Sequence, residues 1–296
     1  CHNVYSNGHV GDLEPPFDCN VSISEQLEKS LESKLDVLFV TNHNTLDGFN
    51  QITDYKNDHE KFSNLKIYPA VEITTDKEAH VLVYGLHEEI KSNQTLDEII
   101  DAAKSQDAIT IAPHPFSLID ALRDDSLKCD LFEVFNRSNI DIYSNKKAEI
   151  FAKEKNLLTT AGSDSHIAST IGRCTNLIDS QNNLDDVIHA MKKGKISIEK
   201  TEYVMHREVL EHIQYKIENS KEYIDKYIQE FYPKYFWLFN QMYKSYMFTK
   251  KSFMWRAVFK IALFGLRRIS YKINFEGYDP YAFRTRDIPT MTKMIF

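Results

Sequence analysis

Long apolar runs, cysteine clusters and low-complexity linkers are all missing from this 296-residue chain. Without an uninterrupted apolar segment of about 20 residues, no stretch reads as a membrane-spanning helix. The four cysteines, Cys1, Cys19, Cys129 and Cys174, stand too far apart for a CxxC metal knuckle and are too few for a disulfide scaffold. They point to a reducing, cytoplasmic setting. No GxSxG elbow surrounds Ser163 or Ser165, which argues against a serine nucleophile. The text opens at Cys1 with neither a charged segment nor an apolar core, and reads as a chain whose first residues lie upstream. What is present is a folded composition, 42% hydrophobic and 27% charged, with a net charge of -7.

That charge is unevenly spread. Residues 1–200 carry 20 basic and 33 acidic groups, whereas residues 201–296 carry 16 and 10. Between Glu230 and Glu276 stand nine basic residues, 15 aromatics and no acid. The contrast places a boundary near Lys200, with a body at 1–200 and a basic, aromatic-rich helical region at 201–296.

In the body, short β-branched runs alternate with helical stretches. Strands are expected at 36–41, 67–73, 80–85, 108–112, 131–135, 158–161, 175–178 and 196–198. Helices are expected from about Ile23, behind Ser22-x-x-Glu25, from Leu96, behind Thr95-x-x-Glu98, and over 146–155 and 184–193. Alternation of this kind implies an α/β protein with parallel pairing, a barrel or doubly wound sheet whose site lies at the strand C-termini. In the tail, Leu210, Ile213, Ile217, Ile224, Ile228 and Phe231 recur at helical spacing. Pro233 interrupts, and a second helical stretch runs from about Lys234 toward Arg268.

Histidines and carboxylates gather at the ends of those strands. His43 lies in VTNHNTLDG, Glu72 in YPAVEIT, His80 in HVLVYGL, His114 in HPF, and Asp164 with His166 in GSDSH. Neutral imidazole and carboxylate together suit Zn, Mn or Fe, and a Glu among several His suggests more than one metal. His59, His87, His189, His206 and His212 match no motif and read as surface or packing residues.

With HNVYSNG, TNHNTLDG, AVEITT, AHVLVYG, HPF, EVFN and GSDSH in this order, residues 1 to about 200 resemble the PHP (polymerase and histidinol phosphatase) phosphoesterases. The resemblance implies a distorted seven-stranded (β/α) barrel around two or three divalent ions. It places His2, Glu72 and Asp164 on a first metal, together with a His of an Asp-x-His segment ahead of the first residue. Glu72, His80 and His114 would hold a second, with Glu72 bridging. His43 and His166 would hold a third with a ligand from the first loop, His9 or Asn7. Asn42 stands where the family has Asp and is expected to shape the loop.

The same resemblance implies hydrolysis of a phosphorylated small molecule or nucleotide, with nucleoside bisphosphates or short oligonucleotides among the substrates. Asp164, His43 and His166 are the expected catalytic residues, the two histidines as proton donors to the leaving oxygen. Arg137 and Arg173 are expected to clamp the phosphate and Asn136 to help position substrate. A 5′-to-3′ exonuclease is the alternative activity, and a binding or regulatory barrel that has lost a metal is the alternative of another class. For 231–275 three readings stand open: a helix packed on the barrel, an interfacial helix on an anionic membrane, or a face for single-stranded nucleic acid.

Overall fold

In the computed structural model, residues 1–6, 17–250 and 252–296 are described. All eight expected strands form: β1 (Val37–Val40), β2 (Lys66–Thr74), β3 (His80–Tyr84), β4 (Ile109–Ala112), β5 (Leu131–Asn136), β6 (Thr159–Gly162), β7 (Cys174–Ile178) and β8 (Ile196–Thr201). They alternate with α1 (Ile23–Glu32), α2 (Asp47–Asn57), α3 (Leu96–Lys104), α4 (Ile142–Lys155) and α5 (Leu184–Lys192). Both expected capping boxes are present. Ser22 Oγ accepts from Glu25 N at 3.3 Å while the Glu25 carboxylate accepts from Ser22 N at 3.0 Å, and Thr95 and Glu98 repeat the exchange. Helix α2 was not expected, because its N-terminal residue Leu46 makes no side-chain cap.

The expectation of parallel pairing is corrected at one strand. The order is β1-β2-β3-β4-β5-β6, with β2–β3 and β3–β4 antiparallel and the remaining pairs parallel. Only five residues, 75–79, join β2 to β3, too few for a crossover, so the chain turns back as a hairpin. Reversing β3 alone makes both its pairings antiparallel. The reversal also has a functional effect: Thr74 at the end of β2 pairs with His80 at the start of β3. His80 therefore reaches the same rim as residues at the C-terminal ends of the other strands.

The seven-stranded count is also corrected. Six strands curl into a half-barrel, and β7 pairs antiparallel with β8 as a separate two-stranded sheet beside β6. A cavity of about 540 Å³ lies between β1 on one side and β6 and β7 on the other. Alternation along β3 fills both faces of the sheet: Val81 and Val83 join Ile99 and Phe132 in one core, and Leu82 joins Ile111, Ile188 and Met191 in another.

The tail is helical as expected, in five pieces: α6 (His206–Asn219), α7 (Lys221–Phe231), α8 (Phe236–Thr249), α9 (Phe253–Phe275) and α10 (Ile288–Ile295). Pro233 opens a 3₁₀ turn that separates α7 from α8. Helix α9 packs on the body through Ile269 and Ile273 against Leu118, and Ser270 Oγ donates to Asp141 Oδ1 at 2.6 Å. Helix α6 is tied by Glu208, whose buried carboxylate lies 2.7 Å from Arg137 and 3.2 Å from Arg173. No helix among the described residues is long and apolar enough to cross a membrane.

Candidate metal centre

The first ligand is set by an extended stretch running beside β1. Cys1 N donates to Phe39 O at 3.3 Å and Thr41 N donates to Cys1 O at 2.9 Å, which turns the side chain of His2 inward. His2 Nε2 then lies 3.2 Å from Glu72 Oε2 and 3.1 Å from Asp164 Oδ1. The other oxygen of Glu72 lies 2.9 Å from His80 Nδ1 and 3.1 Å from His114 Nε2. One carboxylate thus serves two groups of donors, the arrangement expected of a bridging ligand. Across the rim, Asp18 Oδ2 is 3.0 Å from His166 Nε2 and 3.8 Å from His43 Nε2.

These donors fit divalent metal. Ligand atoms held about 2.1 Å from one ion at tetrahedral or octahedral angles stand about 3.0–3.4 Å apart, the separations found around Glu72. Among the described residues, three groups have one donor atom per residue within 4.8 Å of one another: His2/Asp18/His43/His166, His43/Glu72/His80 and His2/Glu72/Asp164. Moreover, His43 Nδ1 is buried without a hydrogen-bond partner among the described residues, while His80 Nδ1 faces Glu72 Oε1 at 2.9 Å. Buried polar atoms left unpaired cost about 1–3 kcal/mol each, which an ion would relieve.

The electrostatics agree. Burial opposes ionisation of Glu72, yet His43 and His80 hold its carboxyl well below the usual range. Asp18 is held low against the same burial by His166, and Asp164 likewise by His166 and His2. In return, although burial opposes it, Glu72 pushes His114 up to about 9, and Asp18 and Asp164 push His166 up to about 9. Burial drives His43 down to about 3. Two donors also sit in the left-handed region, His114 at φ 29° and Asp164 at φ 45°. Such backbone costs on the order of 1–3 kcal/mol and persists where the surroundings demand it. For His114 the demand is visible: its N–H donates to Glu133 Oε2 at 2.7 Å.

Of the expected donors, the structure brings together His2, His43, Glu72, His80, His114, Asp164 and His166. Asn7 and His9 lie outside the described residues. Asn42 is a loop former, as expected: its side chain accepts from Asn3 N at 2.9 Å and donates to Asn3 Oδ1 at 2.7 Å. The residues expected to bind phosphate are placed as follows. Arg137 is 1% exposed and bound to Glu208, so its guanidinium is turned away from solvent. Arg173 shares that carboxylate. Asn136 is buried and donates to Glu133 at 2.8 Å and to Asp164 at 3.4 Å.

Four residues at the site were given no role there from the sequence, and one of them, His212, was expected to be a surface or packing residue. Asp18 stands in the first loop but in no motif. Glu133, in EVFN, is buried against His114 and Asn136, and burial raises its pKa to about 7. Gly162 makes room for it, since a Cβ there would lie 1.7 Å from Glu133 Oε1. His212 and Lys216, one turn apart on α6, cover the Asp18 side. The His212 ring stacks on His166 at 4.7 Å with Nε2 2.8 Å from Asp18 O, and Lys216 Nζ is 3.3 Å from Asp18 Oδ1. Their spacing of four along an expected helix was the one signal available.

Residues 143–196 match the family model described as PHP-associated. An uncharacterised protein of Methanocaldococcus jannaschii is 32% identical over 126 residues, 39% of this chain, and the chain spans about half (53%) of that relative's length. Among solved structures, PsfC from Pseudomonas syringae PB-5123 superposes with a TM-score of 0.50 at 18% identity, over 65% of this chain and 88% of PsfC, a likeness of fold. The lesion-specific endonuclease PfuEndoQ of Pyrococcus furiosus gives a TM-score of 0.45 at 16% identity, over 59% of this chain and 52% of the endonuclease.

Proposed function

We propose that this protein, a member of the PHP family, is a metal-dependent hydrolase of phosphoester bonds acting on the terminal phosphate of a nucleotide or small metabolite. The observation that carries the reading is Glu72, whose two oxygens face His2 on one side and His80 with His114 on the other. Bound divalent ions, Mn, Zn or Fe, would supply an activated water and neutralise phosphoryl charge. His2, Glu72 and Asp164 would hold one, His80 and His114 with Glu72 a second, and His43, His166 and Asp18 a third.

The chain's own residues do the remaining work. Glu133 and Asn136 fix His114 and Asp164 by hydrogen bonds, so the donors are preorganised. Lys216, half-exposed beside Asp18, takes the place proposed from sequence for an arginine: its ammonium is free to turn from Asp18 to a substrate phosphate. In this reading His43 and His166 act as ligands of the third ion, and His166 is the closer of the two to Asp18. Helix α6 lies over this side of the rim, which favours a compact phosphomonoester over a continuous nucleic-acid strand.

The test is phosphate release by Mn-loaded protein from p-nitrophenyl phosphate and a nucleoside 3′,5′-bisphosphate, beside a 5′-labelled oligonucleotide. Free phosphate from the first two, abolished by His114→Ala, supports the reading. Shortened oligonucleotide with no phosphate from the small substrates would replace it with the exonuclease. No reaction and fewer than two bound metals would leave a binding barrel.

A further inference from the structure

We infer that the α8–α9 elbow, with the first half of α9, docks on an anionic lipid bilayer. Helix α9 has two unlike sides. Trp255, Leu263, Ile269 and Ile273 are buried against the protein, while Phe253, Ile261 and Phe264 are 84, 71 and 61% exposed. At i, i+8 and i+11 these three share one face, so the exposure is a row along the helix. Near the end of α8, Phe248 is 91% exposed. A cluster of large exposed apolar side chains marks an interaction site in a soluble protein.

Charge selects the occupant. Arg256, Lys260 and Arg268 flank the row, all exposed and without an ion-pair partner among the described residues, and no carboxylate occurs between Glu230 and Glu276. A second copy of the chain would bring two cationic faces together and be repelled. Single strands of nucleic acid stack on successive flat rings, but Ile261, between Phe253 and Phe264, offers none. An apolar row of about 16 Å flanked by cations suits a helix lying in the headgroup region, with rings among the acyl chains and Lys and Arg at the phosphates.

The test is co-sedimentation of the full chain with vesicles of phosphatidylcholine alone and of phosphatidylcholine with equal phosphatidylglycerol, beside binding to oligothymidylate. The expected result is binding to the anionic vesicles that falls with added salt. Phe253→Ser/Ile261→Ser/Phe264→Ser and Arg256→Gln/Lys260→Gln should each weaken it about tenfold or more while melting as the parent does. Unaltered binding by the triple serine variant, or no vesicle binding at all, overturns the inference. Binding to oligothymidylate without vesicles reassigns the face to nucleic acid. A parental dimer broken by the serine variant, again without vesicles, reassigns it to a second copy.

Discussion

The rim of the sheet buries histidines and carboxylates that are ordinarily solvated, whereas the α8–α9 face exposes rings that are ordinarily buried. Each inverts the usual rule of inside and outside, and each inversion is unfavourable for the chain alone. The inversions differ in how far the protein compensates them. At the rim, nearly every donor faces an opposite charge, and Glu133, Asn136 and Ser6 hold the donors in place. On α9, Phe253 and Phe264 stand open to solvent. The rim is therefore compensated by the chain itself, and the elbow is left open.

The largest expected effect comes from removing the bridge. Glu72→Gln should lower turnover by about 1,000-fold or more, because one change withdraws charge from two groups of donors. The same variant should leave vesicle binding untouched, which separates the two regions. Next is Glu208→Ala, which strands the buried Arg137 and should cost about 3–5 kcal/mol in denaturant titration. A loss under about 1 kcal/mol would show that α6 is held by something else.

A third prediction concerns protons. Because His114 and His166 are raised to about 9 in the metal-free protein, their stabilisation is complete below about pH 6.5 and is lost as pH rises through about 9. The lowered His43 acts only in the more acid range between about 3 and its unfolded value. The melting temperature of metal-free protein should then fall between pH 6.5 and 9, and that of metal-loaded protein should not. A flat metal-free profile would show that the carboxylates do not hold these imidazolium charges.

The smallest effect is expected at Lys216, where Lys216→Ala should raise KM about tenfold with little change in kcat. A fall in kcat alone would make the lysine a support for Asp18 instead.

Much of this was legible from local pattern. The capping boxes at Ser22 and Thr95 and the β-branched runs fixed elements by short-range chemistry, and all eight strands fell close to their expected places. The reversal of β3 was readable in principle, since the five residues between Thr74 and His80 cannot make a crossover. Motif residues from His43 to His166 converge because each follows or adjoins a strand end. Asp18, His212, Lys216 and the Glu208 pairing of the two arginines could not be read in this way. They meet across separations such as the 198 positions between Asp18 and Lys216, and local pattern does not encode such meetings.

The most direct test of the metal centre is anomalous diffraction at the Mn and Zn edges from crystals of the full chain soaked in each ion. The account predicts at least two peaks, one between Glu72 Oε2, His2 and Asp164 and one between Glu72 Oε1, His80 and His114. No peak beside Glu72 in either soak would contradict it.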